Sequence, residues 1–252
     1  MKKYLLSSLF FVAAFLFAQD KLIVEYEMFT KMDLDDILTF SDGNIPDKEW
    51  QDALKDAMAK PSYYRLTLTP SESVFEFLEK VDNTQKEETG RVMISFGERG
   101  VFYKNLPEKI TLKESNSWDK DYLINDSIKN YDWKIIKETQ EILGYETRKA
   151  TAVIDSTQTI EAWYAPKLAF KNGPDDFGGL PGLILKAEQT SKSKNKTSIQ
   201  TYTATSIKVG DDKTKITRPK KGKKVSPEEF KKENDEQMQK MKEMYDGGVE
   251  KD

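Results

Sequence analysis

The sequence predicts a mainly β protein: a curved antiparallel sheet, half-barrel-like, with one helix packed on it and a second helix at the C-terminal end. Three observations carry this. Apolar and polar residues alternate at period two through much of residues 21–209, the spacing of a half-buried strand. Turn signals such as Thr89-Gly90 and Arg99-Gly100 break the runs into short pieces. Only two stretches, near residues 46–60 and beyond 226, switch to helical spacing.

Residues 1–18 stand apart from the sheet. Lys2 and Lys3 precede an apolar run from Leu5 to Phe17, broken only by Ser7 and Ser8, and Ala18 offers a small residue for cleavage. That run is short for a membrane span and a polar chain follows at once, which is the pattern of a secretory signal peptide. The mature protein is thus expected to be exported, periplasmic or extracellular, after cleavage near Ala18. Membrane contact would be peripheral if there is any.

In the first strand, Lys21 to Thr30, Leu22, Val24, Tyr26 and Met28 share one face. Pro46 to Lys60 places Trp50, Leu54, Ala57 and Met58 at helical spacing, with Pro61 just past the end. Strands follow at Tyr63–Thr69, Val74–Lys80, Arg91–Phe96, Val101–Tyr103 and Lys109–Glu114, rich in β-branched and aromatic residues. The pattern continues through Asp132–Thr139, Tyr145–Asp155, Thr159–Tyr164, Leu183–Gln189 and Lys196–Val209. Arg218 to Lys224 is a basic run that reads as a solvated linker. Ser226-Pro227-Glu228-Glu229 then opens the last helix, with Ser at the N-cap, Pro at the first helical position and acids in the first turn. The organisation is a signal peptide (1–18), a β-rich domain (19–210), a basic linker (211–225) and a C-terminal helix (226–246).

Composition excludes several chemistries. The 252 residues carry a formal charge of −3, against the basic face expected of a nucleic-acid binder. With no His and no Cys, the chain cannot build a Ser-His-Asp triad, a Cys nucleophile or a zinc site of the usual ligands. Asp33-Leu34-Asp35-Asp36 opens like a calcium loop, but Ile37 and Leu38 stand where the loop needs an oxygen ligand and glycine. Asp175-Asp176 reads as an exposed acidic turn, and Ser156, Ser191 and Ser193 lie near lysines only at random spacing. No catalytic residue, metal ligand or cofactor is assigned, and the expectation is that the protein is not an enzyme.

The most informative stretch is FGGLPGLILKAE, residues 177–188. Three glycines and a proline in six positions suggest a phosphate loop, but such loops run from strand through glycine turn into helix, and this one runs into an apolar strand. Backbone geometry is the reading that remains. Gly178, Gly179 and Gly182 would permit positive φ and close approach, and Pro181 would stiffen the turn. The connection is expected to pack near Trp163 and Phe177, with Leu183 and Leu185 on one strand face and Ile184 on the other. Trp163, Tyr164, Pro166, Phe170 and Phe177 crowd around it. These aromatics form either a core cap or an apolar mouth for a ligand or partner segment. The candidate binding residues are Trp163, Tyr164, Phe170, Phe177, Gly178, Gly179, Leu180, Pro181 and Gly182.

GGLPGLI (178–184), with KETQEILGYETRKATA (137–152) and EAWYAPKLAFKNGPDDFGGLPGLI (161–184), resembles the signature of the GLPGLI family, exported proteins typical of Bacteroidetes-type bacteria. The resemblance spans roughly residues 131–190 and departs at Thr147, where many members carry Cys. It implies a β-rich, secreted protein with no established activity. By analogy with lipoprotein-carrier half-barrels, the implied function is a non-catalytic binding protein cradling an apolar ligand or lipid. The alternative is an interaction module that docks on another envelope protein through the glycine-proline loop.

Overall fold

A computed structural model describes residues 21–32, 48–79, 99–193 and 196–246. The expected signal peptide, the Asp33–Asp36 stretch and the expected Arg91–Phe96 strand lie outside the described residues.

Among the described residues, the chain forms one open sheet of twelve strands. They are β1 (Leu22–Met32), β2 (Ser62–Leu68), β3 (Glu72–Leu78), β4 (Phe102–Asn105), β5 (Ile110–Ser117), β6 (Lys120–Ser127), β7 (Lys134–Ile142), β8 (Tyr145–Val153), β9 (Gln158–Ala165), β10 (Leu183–Ser193), β11 (Lys196–Val209) and β12 (Lys223–Val225). Helix α1 spans Lys48–Ala59 and helix α2 spans Pro227–Asp246. The strand order is β12-β6-β5-β4-β3-β2-β1-β11-β10-β9-β8-β7. Neighbours are antiparallel except β12, which lies parallel to β6. A mainly antiparallel sheet with two helices is therefore the fold of the described residues.

Alternation explains the centre. In β1, Leu22, Val24, Tyr26 and Met28 are buried while the residues between them are half-exposed. Register places Leu22 beside Leu68, Val24 beside Leu66 and Tyr26 beside Tyr64, so one apolar face runs across both strands. Curvature deepens that face. Phe75 on β3 and Tyr202 on β11 are three strand spacings apart, about 14 Å in a flat sheet. Their ring centroids are only 6.0 Å apart. Register shifts at Glu25/Tyr26 and Ile184/Lys186 mark bulges, which bend the strands that carry them.

Two strands escape the sequence reading. In β6, Tyr122, Leu123 and Ile124 form a short apolar run without alternation, flanked by Asp and Asn, and all three are buried. β12 lies inside the basic run, where Lys223 and Lys224 are exposed and only Val225 turns inward. That run is held by ion pairs, Arg218 with Glu108 at 3.0 Å and Lys221 with Asp121 at 2.8 Å. The N-cap signal at Ser226 is realised as a capping box: Glu229 N–H donates to Ser226 Oγ at 3.2 Å and Ser226 N–H to Glu229 Oε2 at 2.8 Å. α1 lies against β1 with Leu54 buried.

Candidate functional site

The chain between β9 and β10 folds back over the concave face. Leu168, Phe170, Phe177 and Leu180 all enter the main core, and Phe177 is fully buried. The Phe177 ring lies 6.1 Å from Tyr202 below it and 6.1 Å from Tyr131 beside it. This is why the segment is apolar without alternating: it plugs a concavity and is no strand itself. The two positions that most need glycine need it for different reasons. Gly179 sits at φ 86°, in the left-handed region. At Gly182 a Cβ would stand 2.3 Å from the Ala165 carbonyl oxygen.

Polar clamps fix the plug. Lys104 on β4 is buried, and its ammonium donates to the carbonyls of Phe177 (2.8 Å) and Gly173 (3.3 Å). Burial pulls the Lys104 pKa down to about 8, against an upward pull from the Asp176 and Asp175 carboxylates. Asn172 donates from Nδ2 to Ser73 Oγ at 2.9 Å and accepts the Gly173 N–H at 2.9 Å. The Trp133 indole donates to the Gly178 carbonyl at 2.9 Å, and Lys129 pairs with Asp176 at 2.6 Å. The Tyr26 hydroxyl donates to the Ile184 carbonyl at 2.7 Å, and burial raises its pKa beyond the ordinary phenol range. Burial also raises Tyr131, with Asp176 adding to the effect, although the Tyr131 hydroxyl has no partner at hydrogen-bond geometry.

Tyr164, Phe170, Phe177 and Leu180 of the candidate residues come together in this core. Gly178 is half-buried, Gly179 and Pro181 are exposed and Gly182 is buried. Trp163 is elsewhere. Next to Tyr164 in the strand, it faces the other side, where its indole donates to Glu161 at 3.2 Å and the Lys149 ammonium lies 5.6 Å over its ring. The tryptophan beside the loop is Trp133. The expected alternation in β10 is interrupted as well, because the bulge makes Leu185 an extra residue and Leu183, Ile184 and Leu185 are all buried. Thr147, where the GLPGLI pattern has Cys, is buried and donates its hydroxyl to the Gln140 carbonyl at 2.8 Å.

Sequence reasoning missed Lys104, Asn172, Trp133 and Tyr131. Their one local signal was the Tyr131–Trp133 pair ahead of β7.

Two cavities bear on function. A polar one of about 470 Å³ lies among Arg99, Glu114, Asn116, Asp121, Tyr122 and Lys221. Several of its polar groups already answer one another: Asp121 pairs with Lys221 and accepts from Asn116 at 2.9 Å. The Tyr122 ring, its aromatic, is buried against Phe230. A smaller cavity of about 100 Å³ lies on the concave face, where the rings of Tyr64, Phe75, Phe102 and Tyr202 meet Lys113, Asp175 and Gln200. Tyr64 and Phe75 stack at 4.8 Å and an interplanar angle of 7°. Asp175 reaches it from a backbone at φ 49°, uncommon for a residue other than glycine and tolerated best by Asp and Asn. Convergence of aromatic rings with a few polar groups is the chemistry of a small-molecule site. Among the described residues, no group of three or more acidic side chains is placed to hold a metal ion.

The family model that matches describes the N-terminal domain of N-glycanase peptide and covers residues 110–231. That span contains Gly178–Ile184, so the resemblance to the GLPGLI family does not stand. Nor do the readings that followed from it and from the missing His and Cys, a non-catalytic carrier or docking module and no enzyme, because the matching domain is an N-glycanase's. The concave face is also filled by the chain's own Phe177 and Leu180, with exposures of 0% and 1%, where a lipid would have to lie. A structure of PNGF-II in a C2 crystal form is 19% identical, covers 84% of this chain and 32% of its own, and has a TM-score of 0.50, a likeness of fold. PNGF-II in a P21 form (20% identity, 85% and 33% covered, TM-score 0.48) is also similar. So is an uncharacterized conserved protein from Thermus thermophilus (8%, 82% and 91%, 0.38). The chain spans about a third of the length of PNGF-II. A search of the curated proteins finds no match.

Proposed function

We propose that this chain takes part in the processing of N-glycosylated polypeptides, in the role of the N-terminal domain of an N-glycanase. The observation that carries the reading is the family match over residues 110–231, which includes the plug and eight of the twelve strands, β5 to β12, and leaves Lys104 on β4 outside it. The concave cavity supports it in chemical terms. Sugars offer C–H faces to aromatic rings and hydroxyl or amide groups to carboxylates, amides and ammonium groups. Tyr64, Phe75 and Tyr202 supply the rings, while Asp175, Gln200 and Lys113 supply the polar partners. Export, with cleavage near Ala18, belongs to the same proposal.

The test uses one glycopeptide in two forms, N-glycosylated and enzymatically deglycosylated, titrated against the purified chain by calorimetry. Mass spectrometry of the same mixtures reads conversion of the glycosylated Asn to Asp, the product of hydrolysis at the glycan–amide bond. Expected is interaction with, or cleavage of, the glycosylated form alone. Equal heats for the two forms without conversion would refute the reading.

A further inference from the structure

We propose that Asn172-Gly173 is a self-modification site, held unreacted by the native fold and set off by release of the plug. It is the single Asn-Gly step in the 252-residue sequence. Next to glycine no side chain shields the backbone nitrogen, which can attack the preceding Asn Cγ. The bond from Gly173 N to Asn172 Cγ forms as the Cγ–Nδ2 bond breaks, and the nitrogen's proton leaves with Nδ2 as ammonia. Water then opens the cyclic imide at either carbonyl. The products are an aspartate at position 172 or an isoaspartyl linkage, in which the backbone runs through Cγ. Water is the only other reactant.

The fold ties both halves of the reacting pair. Gly173 N–H donates to Asn172 Oδ1 at 2.9 Å, so the nitrogen keeps its proton and meets the amide at its oxygen instead of Cγ. Asn172 Nδ2 donates to Ser73 Oγ at 2.9 Å, which stops the side-chain amide from turning. The backbone is pinned as well: the Asn172 carbonyl accepts Ile184 N–H at 3.0 Å, and Lys104 holds the Gly173 carbonyl at 3.3 Å. Ring closure needs a near-attack geometry that these contacts withhold. The ties to Ser73, Ile184 and Lys104 are lost when the plug lifts from the sheet. Packing explains why so reactive a pair is kept. A Cβ at Gly173 would stand 2.8 Å from Ile184 Cβ, and Asn172 is 1% exposed with both ends of its amide bonded. Conversion makes release one-way. An aspartate would carry a charge into that buried position, and an isoaspartyl linkage lengthens the backbone out of step with Gly178 and Ile184.

Peptide mapping by mass spectrometry, which reads amide against carboxyl at position 172, tests this on the full chain at mildly alkaline pH. Conversion in the folded protein should be at least about a hundredfold slower than in guanidinium, because a core segment opens only at a large part of the global stability. Ser73→Ala frees Nδ2 and should speed folded-state conversion about fivefold, the effect of one hydrogen bond. A pool converted while unfolded and then refolded by dilution should melt several degrees below an unconverted pool taken through the same steps. Equal rates in folded and unfolded protein would overturn the proposal, as would an unreactive Asn172 in guanidinium. So would a folded-state rate that Ser73→Ala leaves unchanged, or a converted pool that melts like the unconverted one.

Discussion

At the centre of the sheet, Phe177 is fully buried against Tyr202 and Tyr131, and the loop that carries it is gripped by Lys104, Asn172 and Trp133 from three directions. At the β12 edge, α2 meets the sheet through the Phe230 ring on Tyr122 at 5.1 Å, Ser117 to Asn234 at 2.7 Å and Tyr122 to Glu233 at 3.1 Å, while Met238 and Met244 stay exposed. Both regions are ordered by polar contacts, but only the first has a large apolar volume behind them. Hydrogen bonds between half-exposed groups contribute little net stability, whereas burial scales with the area removed from water. The centre should therefore fail as a unit, and the edge should open by itself.

The largest expected effect is at the plug. Phe177→Ala should cost about 3–5 kcal/mol, the range for a buried aromatic truncated in a core. Urea unfolding measures it, and a loss below about 1 kcal/mol would show that the plug is dispensable.

The loop glycines come next and sharpen the contrast within the centre. Gly182→Ala drives a Cβ to 2.3 Å from the Ala165 carbonyl oxygen, a backbone atom that cannot step aside, so a loss of about 3 kcal/mol is expected. At Gly179 the nearest heavy atom to an added Cβ is Trp133 Nε1 at 3.8 Å, so only the positive φ matters and Gly179→Ala should cost about 1–2 kcal/mol. Thermal melts of the two variants side by side decide the order. The reverse order would mean that conformation outweighs contact here.

Lys104 makes a prediction about pH. Its folded pKa is about 8, below the ordinary 10.5, so between those values the unfolded chain keeps a proton that the folded chain has released. Stability should rise with pH across that window. Above the ordinary phenol range the slope reverses, because burial keeps the Tyr26 and Tyr131 hydroxyls protonated in the fold alone. Urea midpoints across the window should show the rise in wild type and lose it in Lys104→Met. A flat wild-type profile would place the ammonium in contact with water.

The smallest effect belongs to the edge. Ser226→Ala removes the acceptor of the capping box and should cost about 1 kcal/mol of local helix stability. Amide exchange should quicken in α2 while the global midpoint stays within experimental scatter. A shifted global midpoint would mean that helix and sheet unfold together.

Much of the fold was legible because strand period and capping are local. Leu22, Val24, Tyr26 and Met28 alternate, and Lys196–Val209 reads as one strand from end to end. Ser226 and Glu229 announce a helix start three residues apart. The missing His and Cys exclude whole classes of chemistry in any fold. What local pattern could not show is which residues meet. Lys104 touches Phe177 across 73 residues of chain and Asn172 touches Ser73 across 99. In β4, alternation with buried Tyr103 marks Lys104 as solvent-facing, and it is buried because the plug covers the other face as well. Trp163 and Trp133 differ in sequence only by their distance from the glycines, and the nearer one lies on the wrong side of the sheet. Spacing along the chain sets which face a side chain takes. Only curvature and the return of the loop across β1, β3 and β4 decide what stands opposite it.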